Sequence, residues 1–309
     1  MNAHPGPRAI DGQTVLVTGG AGFVGSHLIR RLLQQHPDVR VVSVDNYFTG
    51  TVERQVDDPR VTYLNASTVE LSKVWASEGL PRPEFVFHFG EYSRVVRSLE
   101  EPDLTWEYNL RGTKEVVDFT RRHGAKIVYA GSSSKFGNDG QDERLNPYAW
   151  TKAKNVEYLA NYSQWYGLDY VVAYFYNVYG PGHIRTGKYA TVIGIFEDHF
   201  ERGLPLPVVS PGTQTRDFTH VDDIISGILL CAEFGEGDGY LLGTGTEWPI
   251  LEVAEMLGGP IEFTPALPGE RTRGRADISK AVQLGYTVTR TLPDYIAEFK
   301  RGLADGRAR

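Results

Sequence analysis

Apolar, β-branched runs recur through the first half of the chain, at Thr14–Thr18, Val39–Val44, Val61–Leu64, Phe85–Phe89, Lys126–Ala130 and Leu168–Tyr174. Stretches of helical period lie between them, such as Gly22–Gln35, Trp106–His123 and Pro147–Tyr166. Strands apolar on both faces, alternating with helices, predict a doubly wound α/β fold with a parallel sheet covered on both sides. Right-handed crossovers then gather the strand C-termini on one edge, where ligands bind. Beyond Tyr179 the rhythm changes. Pro and Gly punctuate 180–182, 203–207 and 211–212, with a helix expected over Tyr189–Phe200. His220–Phe234 reads as a long helix and Gly239–Gly243 as another strand; Trp248–Gly258, Ile261–Pro265 and two weaker helices read as a smaller lobe. The expected division is a domain over 1–178, rejoined at about 206–245, and a smaller α/β lobe over 179–205 and 246–309.

Composition narrows the possibilities. The 309 residues are 23% charged and 41% hydrophobic, enough for a packed core. A net charge of −7 argues against general nucleic-acid binding, which needs excess Lys and Arg to displace counterions from phosphates. The single cysteine, Cys231, forms no intrachain disulfide and suits a reducing compartment. No secretory signal and no apolar run approaching ~20 residues is visible, so a cytoplasmic protein away from membranes is expected.

The strand Thr14–Thr18 runs into Gly19-Gly20-Ala21-Gly22-Phe23-Val24-Gly25 and then a helix. Gly19 permits the tight turn, Gly22 lets backbone approach a pyrophosphate, and Gly25 lets the helix pack close to the sheet. The helix N-terminus offers unpaired N–H groups to phosphate. A second strand ends in Asp45, about twenty residues past Gly25. A carboxylate there takes both adenosine ribose hydroxyls and repels a 2′-phosphate, so a Rossmann-type unit binding NAD rather than NADP is expected.

Tyr148 and Lys152 stand four apart on a predicted helix and share a face. A free phenol, pKa about 10, is a poor base at neutral pH. A nearby ammonium and a cationic nicotinamide ring favour the phenolate, which can take a proton from a sugar hydroxyl. The strand Lys126–Ala130 leads into Ser132-Ser133-Ser134, which present hydroxyls at the ligand edge.

On these residues the chain resembles the extended short-chain dehydrogenase/reductases, and among them nucleotide-sugar epimerases of the UDP-glucose 4-epimerase type. The resemblance runs from the glycine motif to about Leu292. The family's nucleotide loop matches Thr18–Gly25, and its DN-x-x-TG segment matches Asp45-Asn46 with Thr49-Gly50. Its strand-terminal His matches His88, with Phe89 and Gly90 following, and its N-x-x-GT matches Asn109 to Thr113. NVYGP is intact at Asn177–Pro181 and RDF-x-HVDD at Arg216–Asp223.

The resemblance implies that Tyr148 removes the proton from a sugar C4 hydroxyl while hydride passes to NAD, with Ser132 sharing the proton transfer and Lys152 also holding the nicotinamide ribose. Gly19, Gly22–Gly25, Asp45, Asn46, Thr49, Gly50, Phe89, Gly90 and Asn109 would contact the cofactor. Arg216 would grip the diphosphate. Asn177, Ser133, Ser134, Glu91, Ser93 and Arg94 would line the substrate pocket, and Arg273, or Arg271 or Arg275, would hold the nucleotide. No metal is implied. His88 reads as a structural imidazole satisfied by backbone, and Cys231 as a core thiol.

Departures bear on substrate. Only about 16 residues separate Ser132 from Tyr148, which trims the loop beside the sugar. Gly90-Glu91 replaces two small apolar residues. Gly274 would leave room for a 2-acetamido group, and Arg185 with Lys188 would offer cations to a C6 carboxylate. The leading expectation is C4 inversion of a UDP-hexose. UDP-glucuronate epimerisation or decarboxylation comes next, the latter only if Glu91 stands in for the glutamate of relatives. A 4,6-dehydratase needs an acid pair where Ser133 and Ser134 stand. A reductase shares the Tyr148, Lys152 and glycine machinery, and a catalytically silent NAD-binding protein is the least expected. Relatives pair through two helices, here Trp106–His123 and Pro147–Tyr166, so a homodimer is expected.

Overall fold

The computed structural model describes residues 8–95, 97–140, 144–265 and 273–306. Six of the apolar runs become parallel strands: β1 (Thr14–Thr18), β2 (Arg40–Asp45), β3 (Val61–Asn65), β4 (Phe85–His88), β5 (Lys126–Ser132) and β6 (Asp169–Phe175). Gly237–Leu242 adds a seventh beside β6, giving the order Gly237–Leu242, β6, β5, β4, β1, β2, β3. Chain direction across the sheet reverses between β1 and β4, which opens a crevice at their C-terminal ends.

Helices cover both faces because each presents one apolar stripe. Phe23–Gln35 buries Leu28, Ile29, Leu32 and Leu33, spaced for one helix face, and packs with Ile224 and Ile228 of Val221–Phe234. Each such side chain contributes about 1.5–3 kcal/mol by leaving water. Opposite them, Trp75, Phe119, Val156 and Leu159 come from Leu71–Ser77, Thr113–His123 and Pro147–Tyr166. A third core, including Tyr179, Phe196, Val208, Val253 and Tyr295, lies in the smaller layer.

Leu206–Val209 pairs in parallel with Ile261–Thr264 and so stands with this smaller layer. The chain rejoins the large sheet later, through Val221–Phe234 and Gly237–Leu242. The stretch expected as one helix over 106–123 opens with a π-helical segment, Trp106–Gly112, before α-helix Thr113–His123. The wider turn holds Asn109 inward, where Oδ1 accepts from Tyr92 N at 2.7 Å and Nδ2 donates to Tyr92 O and Thr151 Oγ1.

Candidate active site

A cavity of about 640 Å³ opens along the C-terminal edge of the sheet. Its dinucleotide half is built by the turn after β1. Gly19 holds φ +73°, and a Cβ there would lie 2.9 Å from the amide of Gly90. At Gly25 a Cβ would come within 2.1 Å of the Gly19 carbonyl, so only glycine lets the helix start this close to the sheet. That helix begins at Phe23 after Gly22 with no side-chain cap, leaving first-turn N–H groups for an anion. Asp45 is buried at the end of β2; its Oδ2 accepts from Ala21 N at 2.9 Å and its Oδ1 from Tyr47 N at 2.8 Å. Burial pushes this carboxyl up and the two backbone bonds pull it down. Each oxygen keeps a lone pair for a ribose hydroxyl. Asn46, Thr49, Phe89 and Gly90 line the same stretch, so the residues present fit a dinucleotide.

The sugar-facing wall comes from the ends of β5 and β6 and the start of Pro147–Tyr166. Asn146 caps that helix, its Oδ1 accepting from Ala149 N, and Pro147 occupies the first turn. The cap starts the helix so that half-buried Tyr148 and, one turn on, buried Lys152 both line the cleft. Ser132 stands beside Tyr148 along the cleft wall, and its Oγ lies 2.8 Å from Ser134 Oγ. Burial raises the Tyr148 pKa, Ser132 and Arg94 pull it down, and Glu91 opposes them. Ser133, Ser134, Ser93, Arg94, Asn177 and Arg216 line the cleft alongside. Asn177 holds φ +30° and its Nδ2 donates to the Asp217 carbonyl at 2.8 Å; Arg216 Nη1 donates to its neighbour's carbonyl, Thr215 O.

Glu91 turns inward. Its Oε2 pairs with Lys152 Nζ, both side chains almost wholly buried, while Oε1 accepts from Thr113 Oγ1 at 2.9 Å, Tyr129 OH at 2.9 Å and Asn155 Nδ2 at 3.0 Å. Lys152 also donates to the Ala130 carbonyl. Burial lowers the Lys152 pKa and Glu91 raises it. The contacts of Thr113, Tyr129 and Asn155 with Glu91 escaped the sequence reading because that shared partner is 22, 38 and 64 positions away, although Thr113 itself closes the N-x-x-GT match. His88 sits behind this network with Nδ1 2.7 Å from Thr18 Oγ1 and Nε2 2.9 Å from Thr113 Oγ1. Threonine hydroxyls, not backbone, thus satisfy it, and burial lowers its pKa to about 4. Cys231 is a buried thiol pushed up to about 12.

Several expected residues stand apart from the cleft. Arg185 Nη2 forms an ion pair with Glu201 at 2.6 Å and its Nε lies 3.4 Å from Glu197, while Lys188 pairs with Glu101. Neither lines the cavity, because carboxylates of the smaller layer and of the 97–105 region have drawn both cations away. Asn109 braces Tyr92 and Thr151 behind the wall. Gly50 backs Asp45, where a Cβ would meet both carboxylate oxygens at 2.9 Å. Arg273 and Arg275 are exposed and off the cleft, and Arg271 lies outside the described residues. Gly274 is buried and its carbonyl accepts from Asp217 N at 2.9 Å, so it does not widen the pocket beside a sugar. Phe48, Tyr108, Thr191, Gln214 and Phe218 line the cleft without having been expected to. Among the described residues no group of three His, Cys, Asp or Glu is placed to hold a metal, and no helix is long and apolar enough to cross a membrane.

The pattern of the NAD dependent epimerase/dehydratase family matches residues 15–243. A putative UDP-glucose 4-epimerase of Methanocaldococcus jannaschii is 30% identical over 88% of this chain and 92% of its own length. The structure resembles that of Thermus thermophilus UDP-glucose 4-epimerase complexed with NAD, at TM-score 0.82 and 28% identity over 93% of this chain and 99% of that one. It also resembles a dTDP-glucose 4,6-dehydratase of Streptomyces venezuelae with NAD bound, at TM-score 0.84 and 27% identity over 95% and 98% of the two chains. NAD is the cofactor of this cradle.

Proposed function

We propose that this chain, which belongs to the NAD-dependent epimerase/dehydratase family, inverts C4 of a UDP-linked hexose through a transient 4-keto sugar. The observation that carries the reading is the convergence of Tyr148, Ser132 and Lys152 on one cleft with the glycine turn and Asp45. Tyr148 takes the C4 hydroxyl proton and later returns it, while the Ser132 hydroxyl steadies the oxygen that loses it. NAD, when bound, supplies the acceptor and then the donor of hydride at C4. Arg216 and Asn177 hold the diphosphate end, so the hexose can present either face to the same phenol.

Dehydration and decarboxylation lack the groups they need. Dehydration needs an acid pair after Ser132, where this chain has Ser133 and Ser134, and the following Lys135 is bonded to Asp238 and Tyr174. Decarboxylation needs a free glutamate at the sugar, and Glu91 is held by Lys152, Thr113, Tyr129 and Asn155. Incubating a panel of UDP-hexoses and following them by proton NMR tests the proposal. The expected result is gluco–galacto interconversion to a fixed ratio with no stoichiometric reduced cofactor. A 4-keto-6-deoxy product, a pentose, or one reduced cofactor per turnover would reject it.

We further infer a homodimer through the helical face expected to pair. Trp106 and Trp150 remain 43% and 36% exposed, with ring centroids 5.2 Å apart, and Leu99 is 55% exposed. Large exposed aromatic groups of this kind mark interfaces. Light scattering is expected to give twice the chain mass of 34.5 kDa, and a Trp150→Glu variant to give one chain mass. A wild-type protein of one chain mass would end the inference.

A further inference from the structure

Sequence spacing assigned the acidification of Tyr148 to Lys152, yet the charges in this cleft are arranged otherwise. The Lys152 ammonium is matched by the Glu91 carboxylate in an ion pair whose side chains are 6% and 4% exposed. Glu91 is fixed from its other side by Thr113, Tyr129 and Asn155, so it cannot swing away. A matched pair acts on a third group as a dipole, whose field falls faster with distance than that of a lone charge. Glu91 itself opposes a phenolate at Tyr148. With NAD bound, its cationic nicotinamide ring favours the phenolate, and an unmatched positive charge on the chain beside Tyr148 would add to that pull.

Arg94 lines the cleft with Tyr148. Its Nη1 donates to Ser93 O at 3.0 Å and Nη2 donates to Tyr189 O, while the buried Nε has no partner. No carboxylate pairs with it among the described residues; Tyr92 and Tyr148 line the same cleft, and the phenols of Tyr148, Tyr92 and Tyr189 are the groups that favour its charge. Tyr92 and Tyr189 hydroxyls both bond Glu101, and burial together with that carboxylate pushes the Tyr92 phenol up, whereas the Arg94 charge pulls the Tyr148 phenol down. The groups acting on Tyr148 are then Ser132, Glu91 and Arg94, with Lys152 matched.

We propose that Arg94 is the positioning residue whose unmatched positive charge stabilises the Tyr148 phenolate, while Glu91 commits Lys152 to a matched pair that aims its ammonium. The proposal rests on Tyr148 being the base. Arg94 takes no proton and makes no bond to substrate; it shifts the balance of the Tyr148 proton.

Two variants separate charge from scaffolding. Arg94→Gln removes the charge while keeping a polar side chain with an N–H donor; Arg94→Lys keeps the charge. With UDP-glucose and the NAD-loaded enzyme, Arg94→Gln is expected to lower kcat at pH 7 about 10-fold, to recover as pH rises, and to leave KM within about 2-fold. Arg94→Lys is expected to restore most of the rate. Independently of turnover, NMR of tyrosines labelled at the phenol carbon, with Tyr148 assigned by a Tyr148→Phe variant, is expected to show its titration displaced to higher pH in Arg94→Gln. An unmoved titration would overturn the proposal even if the rate fell, since Arg94 would then act only as a tie to Tyr189. A loss carried by KM alone would also overturn it, by making Arg94 a substrate contact. Full activity of Tyr148→Phe would instead reject the base assignment, and the titration would still report on the Arg94 charge.

Discussion

Replacing Tyr148 by phenylalanine is expected to lower kcat for C4 inversion by roughly 10²–10⁴-fold, the range for losing a positioned proton-transfer group. KM should move little, because the diphosphate and nucleotide contacts lie elsewhere in the cleft. The pH dependence should change as well. Burial raises the Tyr148 pKa against the pull of Ser132 and Arg94, and the active base is the deprotonated form. Wild-type turnover therefore climbs with pH below that pKa, whereas the phenylalanine variant should show a flat remnant. An NMR time course across pH checks both points. A variant with wild-type rate and slope would remove Tyr148 from the chemistry.

The largest effect on stability is expected at Glu91. Glu91→Leu leaves the Lys152 ammonium buried and unmatched and deprives Thr113, Tyr129 and Asn155 of an acceptor. Breaking one side of a buried pair typically costs about 3–5 kcal/mol. The variant should regain part of that as pH rises. An unmatched buried lysine has its folded pKa below the unfolded one, so between the two values the unfolded chain holds more protons and folding is favoured by removing them. Adding Lys152→Met should recover most of the stability at neutral pH, since an apolar pair of similar volume carries no stranded charge. Denaturant unfolding of the three proteins decides it. A Glu91→Leu loss under about 1 kcal/mol would mean the pair does not hold this region together.

Much of the scaffold was legible because it depends on local pattern. The six early strands and the helix Pro147–Tyr166 follow from apolar runs, from Pro147 at the helix start and from Gly167 at φ +70° beyond its end. The glycine turn was legible for the same reason: the demands at Gly19 and Gly25 are steric and sit within seven residues of one another. The π-helical opening at Trp106–Gly112 was not, because a distant contact, Asn109 with Tyr92, sets it.

The site divides along the same line. Tyr148 and Lys152 share a helix face, and a four-residue interval is enough to put both on one wall of the cleft. What each does electrically depends on partners remote in sequence. Glu91 meets Lys152 across 61 positions, and Arg94 reaches the Tyr189 carbonyl across 95. Arg185 and Lys188, which stand near NVYGP in the chain, are drawn off by Glu197, Glu201 and Glu101. Steric and periodic constraints act over a few residues and can be read from a string of letters. Charge acts through space, so which lysine is neutralised and which arginine is left unmatched was decided only when the folded chain brought those side chains together.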